Sequence, residues 1–149
     1  MSEMVIVTGV SQGLGLAVCE RLLNDGYKVV GISRRKTEAF QSLENQFGEK
    51  IAFYSYDFNH IEGIHELVKT ITKEQGGIYG LVNNAALGHD GVLGTMHESQ
   101  ISELIRVNVE APIILTKYAC RSMLMKQKGR VINIGSIIGS TGFNGLSVY

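Results

Sequence analysis

Short runs of apolar residues alternate along the chain with longer stretches in which apolar residues recur at helical spacing. The runs are residues 5–7, 29–32, 51–53, 81–82 and 131–134. They are continuous and do not alternate with polar residues, which is typical of strands covered on both faces of a sheet. The strand–helix alternation predicts an α/β fold, with a doubly wound parallel sheet of five strands and helices on both faces.

The stretches between these runs predict the helices. Apolar stripes are formed by Leu14, Ala17, Val18 and Leu22, by Ile64, Leu67, Val68 and Ile71, and by a third set that begins at Ile101, Leu104 and Ile105. Ser99 is the expected N-cap of the third helix, and residues 37–47 form a weaker helical segment. No repeat, low-complexity tract or linker interrupts the pattern, so we expect one domain over residues 1–149.

Length, charge and hydropathy indicate a single domain and argue against binding to nucleic acid or insertion into a membrane. A chain of 149 residues with 44% hydrophobic residues is long enough for one core and too short for two ordinary domains. Lys+Arg and Asp+Glu both number 14, and no basic run offers contacts to nucleic-acid phosphates. No apolar run approaches the roughly 20 residues that a membrane span needs. Met1–Glu3 leave no room for a signal peptide, so we expect a cytoplasmic protein.

Two cysteines and four histidines offer little evidence for a metal site. Cys19 and Cys120 are far apart and lack metal-ligand spacing, which favours two reduced thiols. His89 and His97 flank a glycine-rich stretch and are interpreted as exposed loop residues. We therefore predict no metal ion.

A glycine-rich turn follows the first predicted strand and opens the first helix. Its sequence is Thr8-Gly9-Val10-Ser11-Gln12-Gly13-Leu14-Gly15. Gly9 allows a sharp turn, Gly13 lets backbone approach a pyrophosphate, and Gly15 allows close helix–strand packing. The free N–H groups of the helix N-terminus favour phosphate. This context predicts a dinucleotide site, although a turn that merely uses glycines is the alternative.

The end of the second strand bears on the choice of cofactor. NAD sites usually have a carboxylate there. Here the segment is Ser33-Arg34-Arg35-Lys36, and the first carboxylate after the strand is Glu38. Two arginines and a lysine would attract a 2′-phosphate, arginine by its paired donors, so NADP is favoured over NAD, with a solvated basic loop as the alternative. Asp57, at the end of the third strand, is placed to face the adenine.

Asn108 stands on the apolar stripe of its helix, seven residues after Ile101. Pro112, four residues on, has no N–H for the Asn108 carbonyl, so the sequence predicts a kink with a free carbonyl suited to holding a water. A satisfied core asparagine beside a proline kink explains the same pattern.

Taken together, these segments resemble the short-chain dehydrogenase/reductase family, and within it the bacterial 3-oxoacyl-carrier-protein reductases. The segments that match are the Thr8 to Gly15 turn, Asp57, Asn83-Asn84-Ala85-Ala86, Asn108, the stretch from Gly129 to Ser136, and Tyr149. Their order and spacing fit essentially the whole chain. They are specific to the family and poorly specific to any one substrate.

The resemblance implies a catalytic set of Asn108, Ser136, Tyr149 and a lysine four residues beyond the tyrosine. Ser136 would hydrogen-bond the substrate oxygen, Tyr149 would exchange its proton, and Asn108 would anchor a water relay. The implied reaction is hydride transfer between NADP(H) and a carbonyl or secondary alcohol, such as a 3-oxoacyl thioester, in a homo-oligomer (dimer or tetramer). Because Tyr149 is the last residue, we expect the chain to match the N-terminal part of such an enzyme and to be inactive alone.

The turn, the strand ends and the resemblance together predict a set of cofactor-binding residues. They are Thr8, Gly9, Ser11, Gln12, Gly13, Leu14, Gly15, Ser33, Arg34, Arg35, Asp57, Asn83 and Ala85. Two other functions remain open: a non-catalytic nucleotide-binding or assembly module, and a nucleotide-sugar epimerase, whose first turn usually spaces its glycines differently.

Overall fold

Five parallel strands form a single sheet in the computed structural model, which describes residues 2–149. The strands are β1 (Met4–Thr8), β2 (Lys28–Ser33), β3 (Ile51–Ser55), β4 (Ile78–Asn83) and β5 (Arg130–Asn133). Their order across the sheet is β3-β2-β1-β4-β5, and every neighbouring pair is parallel. The five-stranded parallel sheet predicted from the sequence is confirmed.

The helices connect successive strands. They are α1 (Gly13–Asn24), α2 (Glu38–Phe47), α3 (Ile64–Gln75), α4 (Glu98–Ile105) and α5 (Ala111–Lys126). A π-helical turn, Arg106–Glu110, joins α4 to α5. Within residues 2–149, no helix is both long enough and apolar enough to span a bilayer.

Two apolar cores cover the two faces of the sheet. One contains residues of α3 and α5, such as Ile71 and Leu115, and the other contains residues of α1 and α2, such as Cys19 and Phe40. Both faces of the central strands are therefore buried, which explains why β1 is apolar throughout except at Thr8. The predicted placement of helices on both faces is confirmed.

The apolar stripe predicted for α1 is shifted in the structure. The buried residues of α1 are Gly15, Cys19 and Leu23, whereas the side chain of Leu14 is exposed. A Cβ added at Gly15 would collide with the Gly9 carbonyl oxygen and would lie 2.6 Å from the Asn84 Nδ2 atom, so only glycine fits where α1 packs against the turn and the segment after β4. That close approach sets the rotation of α1 and turns Leu14 outward.

The N-cap predicted for the third amphipathic helix is also wrong. The helix begins at Glu98, and His97, not Ser99, occupies the N-cap position. The Gln100 side-chain Oε1 accepts a hydrogen bond from the His97 N–H at 3.2 Å, as a residue at N3 does in a capping box. Ser99 lies inside the helix, and its hydroxyl contacts His97 Nδ1 at 3.0 Å.

The strand order changes direction between β1 and β4. The chain moves outward from β1 to β2 and β3, then returns to place β4 on the other side of β1. In open parallel sheets the carboxyl ends of the strands at such a switch point form a crevice where ligands bind. The fold therefore directs attention to the residues that follow β1, β2 and β4.

Candidate functional site

The turn after β1 adopts a backbone that requires glycine. Gly9 has φ +72 and Gly13 has φ +59, which is the left-handed region that residues with a Cβ rarely adopt. A Cβ at Gly9 would also lie 2.9 Å from the Ala85 Cα atom, whereas a Cβ at Gly13 would meet nothing within 4 Å. Gly9 is thus fixed by packing, and Gly13 leaves an open surface beside the start of α1.

The start of α1 carries no side-chain cap. Gln12 occupies the N-cap position with an extended backbone and makes no capping hydrogen bond, and the first turn contains no acidic residue. The first N–H groups of a helix lack partners within the helix and attract anions. This end of α1 therefore has the donors and the positive potential that a phosphate group requires.

Thr8 joins the turn to the segment after β4. Its Oγ1 accepts hydrogen bonds from the backbone N–H groups of Asn84 (3.0 Å) and Ala85 (2.9 Å). The Asn84 side chain returns the link, since its Nδ2 donates to the carbonyls of Thr8 (3.0 Å) and Gly9 (3.2 Å). These four bonds lock the two strand ends together and hold the glycine turn against β4.

A cleft of about 610 Å³ opens along the carboxyl ends of β1, β2 and β3. Ten of the residues that line it are Gly9, Ser11, Gln12, Ser33, Arg34, Arg35, Asp57, Asn59, Ala85 and Leu87. Of the predicted cofactor residues, Thr8 and Asn83 lie behind this lining, at a small cavity under β4, and Gly13, Leu14 and Gly15 belong to the adjoining start of α1. The fold thus brings the predicted cofactor-binding residues to one edge of the sheet.

The basic residues after β2 are not equivalent. Lys36 forms an ion pair with Glu44 at 2.7 Å and lies over the Phe53 ring at 5.3 Å from its centre. Within residues 2–149, neither Arg34 nor Arg35 forms an ion pair. The two guanidinium groups therefore remain free to meet an anion at the cleft, while Lys36 is already neutralised.

A second cavity, of about 700 Å³, lies on the other side of the segment after β4. Asn108, Ser136 and Tyr149, the three residues of the implied catalytic set, all line it. Ser136 caps the short helical turn Ile137–Ser140 by accepting from the Ile138 N–H at 3.2 Å. Residues distant in sequence thus meet in one cavity.

Asn83, the last residue of β4, contacts both β5 and α5. Its Nδ2 donates to Asn133 Oδ1 at 2.8 Å and to Thr116 Oγ1 at 3.0 Å. Asn83 and Asn133 are also direct partners in the parallel ladder. The side chain therefore braces the pairing of β4 with the edge strand β5 at Asn133, three residues before Ser136.

Asn108 holds the loop after β4 through both atoms of its amide. Its Oδ1 accepts from the Leu87 N–H and its Nδ2 donates to the Leu87 carbonyl, each at 2.8 Å. Asn108 lies in the π-helical turn, where the Ala111 N–H bonds the carbonyl of Arg106, five residues earlier. The sequence predicted a kink here from Pro112, and the structure shows a π-helical turn at that place. The kink and the water expected at the Asn108 carbonyl stay predictions.

Two side chains at or near the first cleft, Glu103 and Tyr56, have pKa values shifted by their immediate surroundings. Hydrogen bonds from His89 and Asn59 lower the pKa of the Glu103 carboxyl. Burial raises the pKa of the Tyr56 hydroxyl, a cleft residue that donates to the His60 carbonyl. Within residues 2–149, no group of three or more His, Cys, Asp or Glu side chains could hold a metal ion.

Several residues of the site were not singled out from the sequence. Asn84 is one of them, and the consecutive asparagines at the end of a buried strand are the sequence signal for its role. Glu103, Asn59 and His89 form a hydrogen-bonded cluster that joins two loops. His89, predicted to be an exposed loop residue, is instead paired, with its side chain 24% exposed. No spacing rule reveals such a cluster, since its members are 14 and 44 residues apart.

The two cavities share one wall. Asn84, Ala85 and Ala86 line both the first cleft and the second cavity. One side of this wall faces the arginines after β2, and the other faces Ser136 and Tyr149. A molecule with two ends could therefore extend from one cavity to the other across the segment after β4.

A family model described as short chain dehydrogenase matches residues 3–149. The chain belongs to the short-chain dehydrogenase family. It is 34% identical over 147 residues to the 3-oxoacyl-[acyl-carrier-protein] reductase FabG of Vibrio cholerae, covering 99% of this chain and 60% of that protein. It is 36% identical to carbonyl reductase family member 4 of Xenopus tropicalis, covering 100% of this chain and 62% of that protein.

A solved structure of a short-chain dehydrogenase is similar across the whole chain. A metagenomic short-chain oxidoreductase in complex with NADP has a TM-score of 0.91 and 29% identity, covering 100% of this chain and 69% of that one. The chain spans about 60% of the length of the curated relatives it matches. Family membership is thus shown for residues 3–149, and the resemblance inferred from the motifs is confirmed.

Proposed function

We propose that this chain supplies the cofactor-binding domain and part of the catalytic site of an NADP(H)-dependent short-chain oxidoreductase. The reaction would transfer hydride between nicotinamide and a carbonyl or secondary alcohol. The observation that carries the proposal is the shared wall Asn84–Ala86 between a cleft lined by Arg34 and Arg35 and a cavity lined by Ser136 and Tyr149. One end of NADP carries a phosphorylated adenosine, and the other end carries the reactive nicotinamide. The first cavity offers arginines to the phosphate, and the second offers Ser136 and Tyr149 to the substrate beside the nicotinamide.

The residues present suit such a cofactor. The uncapped start of α1 and the open surface at Gly13 suit a pyrophosphate, because backbone can approach it without a side chain in the way. Asp57 would face the adenine, and its Oδ1 already accepts from the Asn59 N–H at 3.0 Å. When bound, the nicotinamide would supply or accept the hydride.

The side chains of the second cavity would handle the substrate oxygen. Ser136 would hydrogen-bond the carbonyl oxygen, and the Tyr149 hydroxyl would donate a proton to it as the carbonyl carbon gains the hydride. Asn108 would hold the loop after β4 in place through Leu87 and support a water beside the site. These roles rest on the family resemblance and on the placement of all three residues at one cavity.

NADP is the favoured cofactor because Arg34 and Arg35 line the cleft without ion-pair partners among residues 2–149. Arginine presents paired donors that match a phosphate, so a 2′-phosphate would gain charge-assisted hydrogen bonds there. The NADP complex of the metagenomic oxidoreductase agrees with this choice. The similarity to the Vibrio cholerae reductase makes 3-oxoacyl thioesters the first substrates to test.

A homo-oligomer is the proposed assembly. Ile105, Val109 and Ile113 recur every fourth residue along the α4–α5 region, and their side chains are 42%, 45% and 64% exposed. An exposed apolar row on a helix favours contact with another protein surface. Light scattering after gel filtration tests this, since a monomer at working concentration would contradict it. The predicted cytoplasmic location and single domain stay predictions.

A binding titration tests the function directly. The fluorescence of NADPH and NADH is followed as protein is added, and NADPH is expected to bind more tightly. Absence of saturable binding by either nucleotide would contradict the proposal. Reduction of a 3-oxoacyl thioester, followed by NADPH absorbance, then separates the enzyme from its alternative. Binding without turnover in the full-length protein would favour a non-catalytic nucleotide-binding module.

A further inference from the structure

A single carboxylate joins two loops beside the cofactor cleft. Glu103, on α4, accepts a hydrogen bond at Oε1 from the Asn59 side-chain amide at 2.8 Å. Its Oε2 lies 2.7 Å from His89 Nε2. Asn59 belongs to the loop after β3, and His89 belongs to the loop after β4. Both carboxylate oxygens are therefore used, and each holds a different loop.

Each of these loops leads directly into the cleft. Asn59 lines the cleft, and its backbone N–H donates to the Asp57 carboxylate at 3.0 Å. His89 stands two residues after Leu87, which also lines the cleft. Glu103 is not among the lining residues, and its two hydrogen-bonded partners connect it to the cleft. Its charge also interacts with Arg34, which lines the cleft.

The π-helical turn explains how one helix holds the loop after β4 at two points. Glu103 binds His89 and Asn108 binds Leu87, although the two helix residues are five apart in sequence. In a regular α-helix, residues five apart are about 140° apart around the axis. A π turn has more residues per turn and bonds residues five apart, so it brings such side chains toward the same side. Glu103 and Asn108 thus act on the same loop.

We infer that Glu103 is a positioning residue for the cofactor cleft, holding the Asn59 loop and the His89 loop at the separation that a dinucleotide requires. This inference rests on the function proposed above. The Glu103 carboxyl is ionised at neutral pH, and the hydrogen bonds from His89 and Asn59 lower its pKa, so both contacts are charge-assisted. Within residues 2–149, Asn59 and His89 are its two hydrogen-bonded side-chain partners.

Glu103 is expected to affect binding more than global stability. Its side chain is 34% exposed, and half-exposed ion pairs contribute little to unfolding free energy. The same contacts restrain two loops that would otherwise have to be ordered when the ligand binds. Loss of Glu103 should therefore loosen the cleft while leaving the thermal midpoint nearly unchanged.

Hydrogen exchange and nucleotide binding, measured on the same variants, test the inference. E103A is expected to speed exchange in residues 57–60 and 86–90 and to weaken NADPH binding about tenfold. The fragment 2′,5′-ADP should lose affinity too, because the Asn59 loop lies at the Asp57 end of the cleft. E103Q retains an acceptor for Asn59 and a polar partner for His89, so it should restore most of the affinity. Ser102→Ala, on an exposed neighbour, should match the wild type.

The outcomes separate this inference from the proposed function. If the wild type binds NADPH and E103A shows the same affinity and the same exchange, Glu103 is not a positioning residue. If the wild type binds no NADPH, the proposed function fails, and the exchange data still decide whether Glu103 restrains the loops. Should E103A fail to fold, N59A and H89A each remove one contact, and each must loosen its own loop for the inference to stand.

Discussion

The side-chain amide of Asn108 and the backbone of Leu87 form two reciprocal hydrogen bonds, each 2.8 Å long. The amide thus pairs with the N–H and the carbonyl of one residue, as a neighbouring β-strand would. It connects the π-helical turn to the segment that separates the two cavities. A residue expected on family grounds to hold a water is therefore also a support for the cofactor cleft.

Replacing Asn108 by aspartate should destabilise the protein. The new carboxylate can still accept from the Leu87 N–H, but its second oxygen would face the Leu87 carbonyl, which loses its donor. An unsatisfied or opposed polar group of this kind costs about 1–3 kcal/mol in unfolding free energy. Urea denaturation measures the loss, with Ser102→Ala on the same helix as the control. Equal stability of N108D and the wild type would mean that the Leu87 contact contributes nothing.

Arg34 and Arg35 should govern the preference for NADPH over NADH, whereas Lys36 should not. R34A and R35A remove guanidinium groups that line the cleft without ion-pair partners among residues 2–149. Each should weaken NADPH binding about tenfold and leave NADH binding nearly unchanged. Lys36→Ala is the matched control, because that ammonium is already paired with Glu44. Parallel fluorescence titrations with both nucleotides check the result, and a larger effect of Lys36→Ala would contradict it.

The sequence was sufficient to predict the fold and to place candidate residues at the ends of strands. Continuous apolar runs such as residues 29–32 can be buried on both faces only in a covered parallel sheet, and parallel strands bring their carboxyl ends together. Pro112 likewise predicted an irregular helix near Asn108, because a missing N–H is a local property.

Features that depend on long-range contact were not predictable in this way. The rotation of α1 depends on Gly15 packing against the Gly9 carbonyl and against Asn84, 69 residues later in the chain, and no periodicity in the helix encodes that second partner. The cluster of Asn59, His89 and Glu103 likewise depends on three loops and helices meeting after folding. In the sequence Lys36 is as basic as its two arginine neighbours, and only the fold brings Glu44, on α2, close enough to pair with it.

The small contribution of Glu103 to stability should be present above about pH 4.5 and lost in more acidic solution. Hydrogen bonds from His89 and Asn59 lower the pKa of this carboxyl below its ordinary value of 4.5. A group whose pKa is lowered by folding contributes stability above its ordinary pKa, and that contribution is lost as pH falls through the lowered value. The difference in unfolding free energy between the wild type and E103Q should therefore shrink as pH falls from about 6 to about 3. A constant difference would contradict the assigned ion pair.

The two cysteines should differ sharply in reactivity. Burial raises the pKa of the Cys19 thiol from 9.0 to about 12, so almost none of it is thiolate at about pH 8. Cys120 is half-buried, so reagents can reach it. A chromogenic disulfide reagent should label one thiol in the native protein and two in denaturant. C120S should show no rapid labelling, and rapid reaction of Cys19 in that variant would contradict its burial.

Thr8 should contribute more to stability through its hydroxyl than through its methyl group. Its side chain is 2% exposed, and Oγ1 is the acceptor for the N–H groups of Asn84 and Ala85. Thr8→Val keeps the shape of the side chain but replaces that acceptor with a methyl group, which leaves two N–H groups without their partner.

Each such group costs about 1–3 kcal/mol, so T8V should lower the unfolding free energy by about 2–6 kcal/mol. Thr8→Ser retains the hydroxyl and loses only a methyl group, at a cost of about 1 kcal/mol. Urea denaturation of the two variants and the wild type measures both effects. If T8V were as stable as T8S, the hydrogen bonds from Asn84 and Ala85 would not be what holds the glycine turn to β4.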